Sequence, residues 1–210
     1  MFTEKSVNQF LDELASKAPV PGGGSGSAMG GALAAGLLSM VCNLTIGKKG
    51  YEDVEDDIRK ILTRSEELRS QLPNLLEDDT RVYSEVMACY RLPKSTEEEK
   101  ASREKAMQSA LKKAADVPLE IAACCSEIID LCLPAAHKGN KWAVSDAGVS
   151  VLLAEASLRG SLLNVEINLA SIKDQDYITA TRKRVKEITQ GKAELKEEVM
   201  AVVLKTIRGE

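Results

Sequence analysis

Residues 28–46, AMGGALAAGLLSMVCNLTI, form an uninterrupted stretch without a single charged side chain. Such a stretch is long enough to span a membrane. Its many small residues, its polar Ser39, Asn43 and Thr45, and the lack of an aromatic belt instead favour a central helix that neighbouring helices approach closely. We therefore expect this segment in the core of a helical protein, and no membrane partner.

The composition of the whole chain favours the same fold class. Of its 210 residues only 3% are aromatic, and Ala, Leu, Glu and Lys are frequent while β-branched runs are short. These proportions favour helices over strands. No fixed-period repeat or long linker divides the chain. The prediction is an all-α protein in which residues 1–210 form a single up-and-down helical bundle with long central helices.

Charge and cysteine content restrict the partners, the compartment and the cofactors. A formal net charge of −4 provides no excess of cations to neutralise phosphates, so we expect no nucleic-acid partner. Five cysteines, an odd number without a C-x-x-C pair or a preceding secretory signal, predict reduced thiols and a cytoplasmic location; a redox or metal site is the alternative. Because His137 is the only histidine, we expect no metal and no other cofactor.

Capping and helix-breaking residues divide the chain into predicted helices. Ser6 and Thr96 each open a capping box, with Gln9 and Glu99 three residues later. Prolines are expected to separate or end the helices that follow. The predicted helices are residues 6–17, 28–46, 51–72, 74–91, 96–133, 145–173 and 176–208, with ends or breaks at Pro19, Pro73, Pro134 and near Gly191.

A glycine-rich stretch, PVPGGGSGSAMGG at residues 19–31, precedes the uncharged segment. It has neither the G-x-x-x-x-G-K-[ST] spacing of a phosphate-binding loop nor the G-x-G-x-x-G spacing of a dinucleotide site. We expect a loop leading into the central helix, whose glycines let the backbone pass close to a ligand and whose helix N-terminus receives an anion. A flexible turn between two helices is the alternative.

A set of short motifs along nearly the whole chain resembles one family, the cyclodeaminase/cyclohydrolase family. Its members are the C-terminal domain of formiminotransferase-cyclodeaminase and free-standing bacterial methenyltetrahydrofolate cyclohydrolases. The motifs are PGGGS at 21–25, Gly47-Lys48, Asp79 with Tyr83, RLPK at 91–94 with Thr96 and EEK at 98–100, VPL at 117–119, Gly139-Asn140, Ser145-Asp146 and NVEIN at 164–168.

The resemblance implies an all-helical homodimer that acts on the one-carbon unit bridging N5 and N10 of tetrahydrofolate. It implies the free-standing form, because 210 residues leave no room for a formiminotransferase domain. Methenyltetrahydrofolate cyclohydrolase is the expected activity, and formiminotetrahydrofolate cyclodeaminase, which releases ammonia, is the close alternative. The alternative outside the enzymes is a non-catalytic helical dimer that binds folate or another protein.

Both reactions pass through a tetrahedral carbon flanked by nitrogens, so they need proton transfer and stabilisation of positive charge. Asp146 is the first candidate for the catalytic carboxylate, and Asp79 is the second. Lys48 is a candidate proton donor or a contact for the glutamate tail of folate. Each candidate also has a purely structural alternative. Asp146 could cap the N-terminus of a helix, Asp79 could belong to a solvated surface of ion pairs, and Lys48 could stabilise the C-terminal end of a helix by its charge.

The candidate substrate-binding residues carry small, hydroxyl or amide groups. Gly160, Asn164 and Asn168 are spaced by four residues and so lie on one helix face. The hydrogen-bond partner of the two amides is either a pterin or a neighbouring helix. Asp146 and Asn164 are separated by about 27 Å along a straight helix. Either the helix breaks near Gly160, or the two residues serve different ends of an extended ligand, or a dimer partner joins them. The full predicted set is Gly23, Gly24, Ser25, Tyr83, Asn140, Ser145, Asn164 and Asn168.

Overall fold

The computed structural model describes all 210 residues, Met1–Glu210, and contains helices without any β-strand. The predicted all-α class is confirmed. Short 3-10 helices at Phe2–Glu4, Glu52–Val54 and Lys141–Ala143 precede the first, third and fifth α-helices. The seven α-helices are α1 (Val7–Leu14), α2 (Gly23–Asn43), α3 (Glu55–Tyr90), α4 (Glu97–Lys138), α5 (Val144–Leu169), α6 (Gln175–Thr189) and α7 (Lys192–Arg208).

Helix α2 is the centre of the bundle and packs against α3, α4 and α5. It is the one helix long and apolar enough to cross a membrane, and 56% of its most apolar window is buried by the rest of the protein. Small residues permit this packing, since a Cβ atom on Gly31 would lie 2.8 Å from the Cys125 Sγ atom. The expected central helix is therefore confirmed.

Most of the glycine-rich stretch is helical: only residues 19–22 lie outside a helix, so the predicted loop up to Ala28 was wrong from Gly23 onward. Helix α2 begins at Gly23, and its N-cap residue Gly22 provides no side-chain hydrogen bond. The missing cap comes from another helix, because Asp79 of α3 accepts a hydrogen bond from the Ser25 backbone N–H and another from the Ser25 hydroxyl, the latter at 2.8 Å. This tertiary contact at the helix N-terminus offsets the poor helix propensity of glycine.

Two prolines expected to end helices lie inside them. Helix α3 continues through Pro73, and α4 continues through both Pro118 and Pro134. Each proline costs a backbone hydrogen bond, but the turns around them are packed into the core, with Leu72 and Leu76 fully buried beside Pro73. The capping boxes at Ser6 and Thr96 and the break at Gly191 are confirmed.

Helices α2 and α5 run antiparallel, which decides the positions of the candidate site residues. Gly160 lies against Ser27, and Ser150 donates a hydrogen bond to the Ala34 carbonyl at 2.8 Å. Helix α5 is continuous through Gly160, so the break considered there does not occur. Its N-cap residue is Ala143, since the preceding 3-10 helix runs directly into it, so Asp146 does not have the N-cap role that was its structural alternative.

Candidate active site

A cavity of about 420 Å³ opens at the end of the bundle where α2 begins. Residues from α2, α3, α4 and α5 form its walls, together with the segment before α2. Six predicted site residues come together here: Gly23, Gly24, Asp79, Tyr83, Asn164 and Asn168. The complete lining is Pro19, Val20, Gly22, Gly23, Gly24, Asp79, Val82, Tyr83, Val86, Met87, Tyr90, Leu111, Ala114, Asn164, Ile167, Asn168 and Ser171.

Asp79 is the only charged residue in this lining, and the start of α2 holds it in place. The buried Ser25 donates its hydroxyl hydrogen to Asp79 Oδ2 at 2.8 Å. A Cβ atom on Gly24 would lie 2.2 Å from Asp79 Oδ1 and 2.6 Å from its Cγ, which is closer than real side chains approach. Only glycine at position 24 therefore lets α2 and the carboxylate meet in this geometry.

The surroundings of Asp79 favour its protonated form more than water does. Burial raises the pKa of its carboxyl above the ordinary 3.8, and hydrogen bonds from the side chain and backbone of Ser25 oppose that rise. A carboxyl group whose pKa is raised toward neutrality is suited to general acid–base chemistry. The position of Asp79 in the cavity and the raised pKa of its carboxyl therefore both suit proton transfer.

Asn164 and Asn168 present amide groups to the cavity from α5. Asn164 Nδ2 donates to the Gly160 carbonyl at 2.9 Å, and Asn168 Nδ2 donates to the carbonyls of Ala114 and Asn164 at 2.9 and 2.8 Å. The amide N–H groups thus form hydrogen bonds within α5 and from α5 to α4. Neither amide oxygen receives a hydrogen bond from the protein, so both can accept one from a ligand.

Apart from Tyr83, the apolar and aromatic wall of the cavity was missing from the sequence prediction. Tyr83, Met87 and Tyr90 follow Asp79 at steps of four, four and three residues on α3 and line the same cavity. Tyr83 and Tyr90 are 37% and 58% exposed, so their rings are open to a ligand. Continuing the Asp79–Tyr83 spacing by one and two turns would have found them.

Apart from Ser25, which contacts Asp79, the remaining predicted residues lie at the opposite end of α2 and α5. Asn140 is buried and uses its polar groups locally, since it donates to Thr45 Oγ1 and the Leu44 carbonyl and accepts from the Trp142 amide. Ser145 lines a shallow groove beside Trp142 and the C-terminal end of α7.

Asp146 and Lys48 share this end of the bundle. Asp146 is half-buried in the first turn of α5, where a negative charge is favourable. Lys48 follows α2, with its Nζ atom 6.0 Å from the centre of the Tyr51 ring. Because α5 is unbroken, Asp146 and Asn164 are about 27 Å apart in one chain, and they cannot contact the same reacting atom.

The lining of this cavity contains no thiol and no cluster of metal-ligating side chains. No group of three or more His, Cys, Asp or Glu side chains is arranged to hold a metal ion. All five cysteines are free, and burial raises the pKa of the Cys42, Cys124, Cys125 and Cys132 thiols. The groups available for chemistry are thus one carboxylate, two phenols, amides and backbone.

Comparison with known proteins assigns the chain to a family. The formiminotransferase-cyclodeaminase family profile matches residues 6–187. The chain belongs to this family.

The relatives of this chain include proteins named for each of the two candidate activities. The chain is 48% identical over 188 residues to methenyltetrahydrofolate cyclohydrolase of Methylorubrum extorquens, covering 90% of this chain and 89% of the relative. It is 31% identical to mouse formimidoyltransferase-cyclodeaminase, covering 89% of this chain but only 35% of that protein. The crystal structure of formiminotetrahydrofolate cyclodeaminase from Thermotoga maritima superposes with a TM-score of 0.88 at 30% identity, covering 99% of this chain and 100% of that one.

Proposed function

We propose that this protein is a folate-dependent one-carbon enzyme that hydrolyses 5,10-methenyltetrahydrofolate to 10-formyltetrahydrofolate. The observation that carries the proposal is the cavity, whose lining in one chain has a single half-buried carboxylate, Asp79, and no cationic side chain. The methenyl carbon of the substrate carries a positive charge shared with N5 and N10. A lone carboxylate in an apolar cavity is complementary to that charge.

Asp79 performs the proton transfers in this proposal. Its carboxylate takes a proton from water as the water oxygen bonds to the methenyl carbon, which produces a neutral tetrahedral adduct. The protonated Asp79 then delivers the proton to N5 as the bond between that carbon and N5 breaks. The hydroxyl of the adduct loses its proton to solvent and becomes the formyl oxygen on N10. The balance is one water consumed and one proton released.

The other cavity residues bind and orient the folate. The free amide oxygens of Asn164 and Asn168 accept hydrogen bonds from the amino and ring N–H groups of the pterin. The exposed rings of Tyr83 and Tyr90 provide faces for the aromatic parts of the substrate and for its cationic centre. Gly23 and Gly24 let the backbone of α2 approach the ligand closely.

Formiminotetrahydrofolate cyclodeaminase is the second candidate, favoured by the TM-score of 0.88 to a protein of that name. In that reaction N10 attacks the formimino carbon and ammonia leaves, and Asp79 provides the same acid–base group. No further cofactor is proposed for either reaction, and a cytoplasmic location is proposed on the basis of five free cysteines.

We also propose that the protein is a homodimer joined through one apolar face of α2 and α5. Leu33, Met40, Leu152 and Leu163 are large apolar side chains exposed on these two helices, and Leu163 is 74% exposed. The face is continuous with the cavity at Ile167, which is itself 71% exposed. An exposed apolar surface of this kind is typical of an interface.

A two-fold axis at the middle of this face accounts for the predicted residues far from the cavity. An axis that lies in the interface perpendicular to α2 and α5 reverses the direction of both helices, so it would bring the Lys48 and Asp146 end of a second copy beside the Asp79 cavity of the first. Asp146, Lys48 and Ser145 are therefore proposed to act across the interface rather than within one chain. Asn140 supports that end through its hydrogen bonds.

A paired assay distinguishes the candidate functions. The purified protein is mixed with 5,10-methenyltetrahydrofolate, and loss of its absorbance is compared with loss in buffer alone. In parallel, 5-formiminotetrahydrofolate is supplied, and appearance of the same chromophore is measured together with ammonia. Hydrolysis without ammonia release supports the cyclohydrolase, ammonia with chromophore formation supports the cyclodeaminase, and activity in neither assay favours the non-catalytic dimer.

A further inference from the structure

The VPL motif at residues 117–119 lies in the middle of α4, and the proposed function gives it no role. Its proline, Pro118, is buried inside the helix. A proline has no backbone N–H, so the carbonyl four residues earlier, that of Ala114, cannot receive its usual helical hydrogen bond. Ala114 lines the Asp79 cavity. Pro118 therefore leaves a backbone acceptor without its helical donor at the wall of the cavity.

A side chain of α5 donates to that acceptor. Asn168 Nδ2 lies 2.9 Å from the Ala114 carbonyl oxygen and 2.8 Å from the Asn164 carbonyl oxygen. An amide nitrogen carries two hydrogens, so both hydrogens of Asn168 are used within the protein. Only the NH2 group fits beside two carbonyl oxygens, and the amide oxygen is the atom left for a ligand. Asn164 differs, since its Nδ2 makes one such bond, to the Gly160 carbonyl at 2.9 Å.

The other prolines inside helices have no such partner. Pro73 of α3 and Pro134 of α4 deprive the carbonyls of Arg69 and Asp130 of their helical donors in the same way. No side chain donates to either of these carbonyls, whereas that of Ala114 accepts from α5. The proline beside the cavity is thus the one whose missing N–H is replaced by a residue of the cavity.

We infer that Pro118 is a positioning residue that makes Asn168 a hydrogen-bond acceptor toward the folate. The inference rests on the proposed function, in which the Asn168 oxygen accepts a hydrogen bond from the pterin. Because Pro118 has no N–H to donate, the Ala114 carbonyl stays available to the Asn168 amide and fixes its orientation. The ligand group that faces Asn168 must then be a donor, such as the 2-amino or N3–H group of a pterin. A ligand with an acceptor at that position would leave two oxygens facing each other, which costs affinity.

The test restores the missing N–H. In Pro118→Ala the backbone N–H of residue 118 competes with Asn168 for the Ala114 carbonyl. Pro134→Ala is the matched control, because it makes the same change in the same helix about 24 Å further along, where the carbonyl has no side-chain donor. Each substitution is made alone and together with Asn168→Ala. Binding of 5-formyltetrahydrofolate, which lacks the methenyl bridge, is measured by calorimetry, and hydrolysis of 5,10-methenyltetrahydrofolate is measured at steady state.

The expected result is weaker binding that depends on Asn168. One oriented hydrogen bond is worth about threefold to tenfold in affinity, so Pro118→Ala should raise Kd and KM by that factor. The kcat should stay within about twofold, because Asp79 and Ser25 are unchanged. In the Asn168→Ala background Pro118→Ala should cause no further loss, since the side chain through which it acts is gone. Pro134→Ala should bind like the unaltered protein.

Two results would overturn the inference. One is a Pro118→Ala variant with the Kd of the unaltered protein. The other is an equal loss of affinity with and without the Asn168 side chain, which would mean that the proline acts only through the shape of α4. A measurement on the unaltered protein tests the same contact without any substitution. Both side-chain amide hydrogens of Asn168 should exchange with solvent more slowly in NMR than the free hydrogen of Asn164, and equal exchange would contradict the inference.

Failure of the proposed function has a different signature. A protein that turns over neither one-carbon substrate, but binds 5-formyltetrahydrofolate with this coupling between Pro118 and Asn168, keeps the positioning role and loses the catalytic proposal. A protein that does not bind 5-formyltetrahydrofolate overturns both.

Discussion

The closest contact in the proposed active site predicts a severe effect from a single methyl group. In Gly24→Ala the new Cβ atom would lie 2.2 Å from Asp79 Oδ1, about 1.2 Å short of the 3.4 Å at which ordinary van der Waals contact begins. The carboxylate is held by Ser25 on the same turn of α2, so it cannot retreat and keep that hydrogen bond. The substitution must displace either Asp79 or the start of α2.

The expected size of the effect follows from that displacement. A shift of about 1 Å in a catalytic group costs about 100-fold in rate, so kcat should fall by about that factor. Overpacking costs about 1–3 kcal/mol, and replacing glycine in a helix returns up to about 1 kcal/mol. The net loss of up to about 2 kcal/mol should lower Tm by up to about 8 °C in a protein of this size.

Gly26→Ala is the matched control, two residues further along the same helix. No atom lies within 4 Å of a Cβ built on Gly26, so this substitution should leave kcat unchanged and keep or raise Tm. Steady-state hydrolysis of 5,10-methenyltetrahydrofolate and thermal unfolding measure the two effects. If Gly24→Ala kept the kcat of the unaltered protein, or if Gly26→Ala were equally impaired, the contact between α2 and Asp79 would not be what positions the carboxylate.

Further consequences concern protonation, assembly and thiol reactivity. If Asp79 acts as the base, activity should fall on acidification with a midpoint above 3.8, and Ser25→Ala should move that midpoint to higher pH because it removes the hydroxyl hydrogen bond that favours the carboxylate; an unmoved pH–rate profile would contradict this. Because the pKa of Asp79 is raised in the folded state, its contribution to stability should decline as pH rises from 3.8 through the folded pKa, and urea unfolding of Asp79→Asn should lack that decline. Leu33→Glu should convert the proposed dimer to monomer in light scattering, and an unchanged mass would exclude this face. Iodoacetamide should modify only the half-buried Cys89 in the native protein, as mass spectrometry would show, whereas modification of any of the four buried thiols would contradict their burial.

Much of the fold could be predicted because its determinants are local. The capping boxes at Ser6 and Thr96 begin helices as expected, and Gly191 separates α6 from α7 in a left-handed conformation with φ of 73°. The missed boundaries have a common physical cause. Around Pro73 and in the glycine-rich start of α2, local preference opposes a helix, while burial against neighbouring helices favours one.

The site was predictable in part for the same reason. Asp79 and Tyr83 are related by helical spacing, which sequence shows directly, and their neighbours Met87 and Tyr90 extend the same pattern. The meeting of Asp79 with Gly24 depends on how α2 packs on α3, which no local pattern contains. The first candidate, Asp146, lies at the other end of α5, and its catalytic role stays a prediction that depends on the proposed dimer.

The most direct test of the account compares Asp79→Asn with Asp78→Asn in single-turnover hydrolysis of 5,10-methenyltetrahydrofolate. Both variants remove one carboxylate from adjacent positions of α3, but Asp78 pairs with Arg81 at 2.7 Å and does not line the cavity. We expect Asp79→Asn to lose about 100-fold or more in rate with its Tm maintained, and Asp78→Asn to hydrolyse the substrate like the unaltered protein. Hydrolysis by Asp79→Asn at the unaltered rate would contradict the assignment of Asp79 as the catalytic acid–base group.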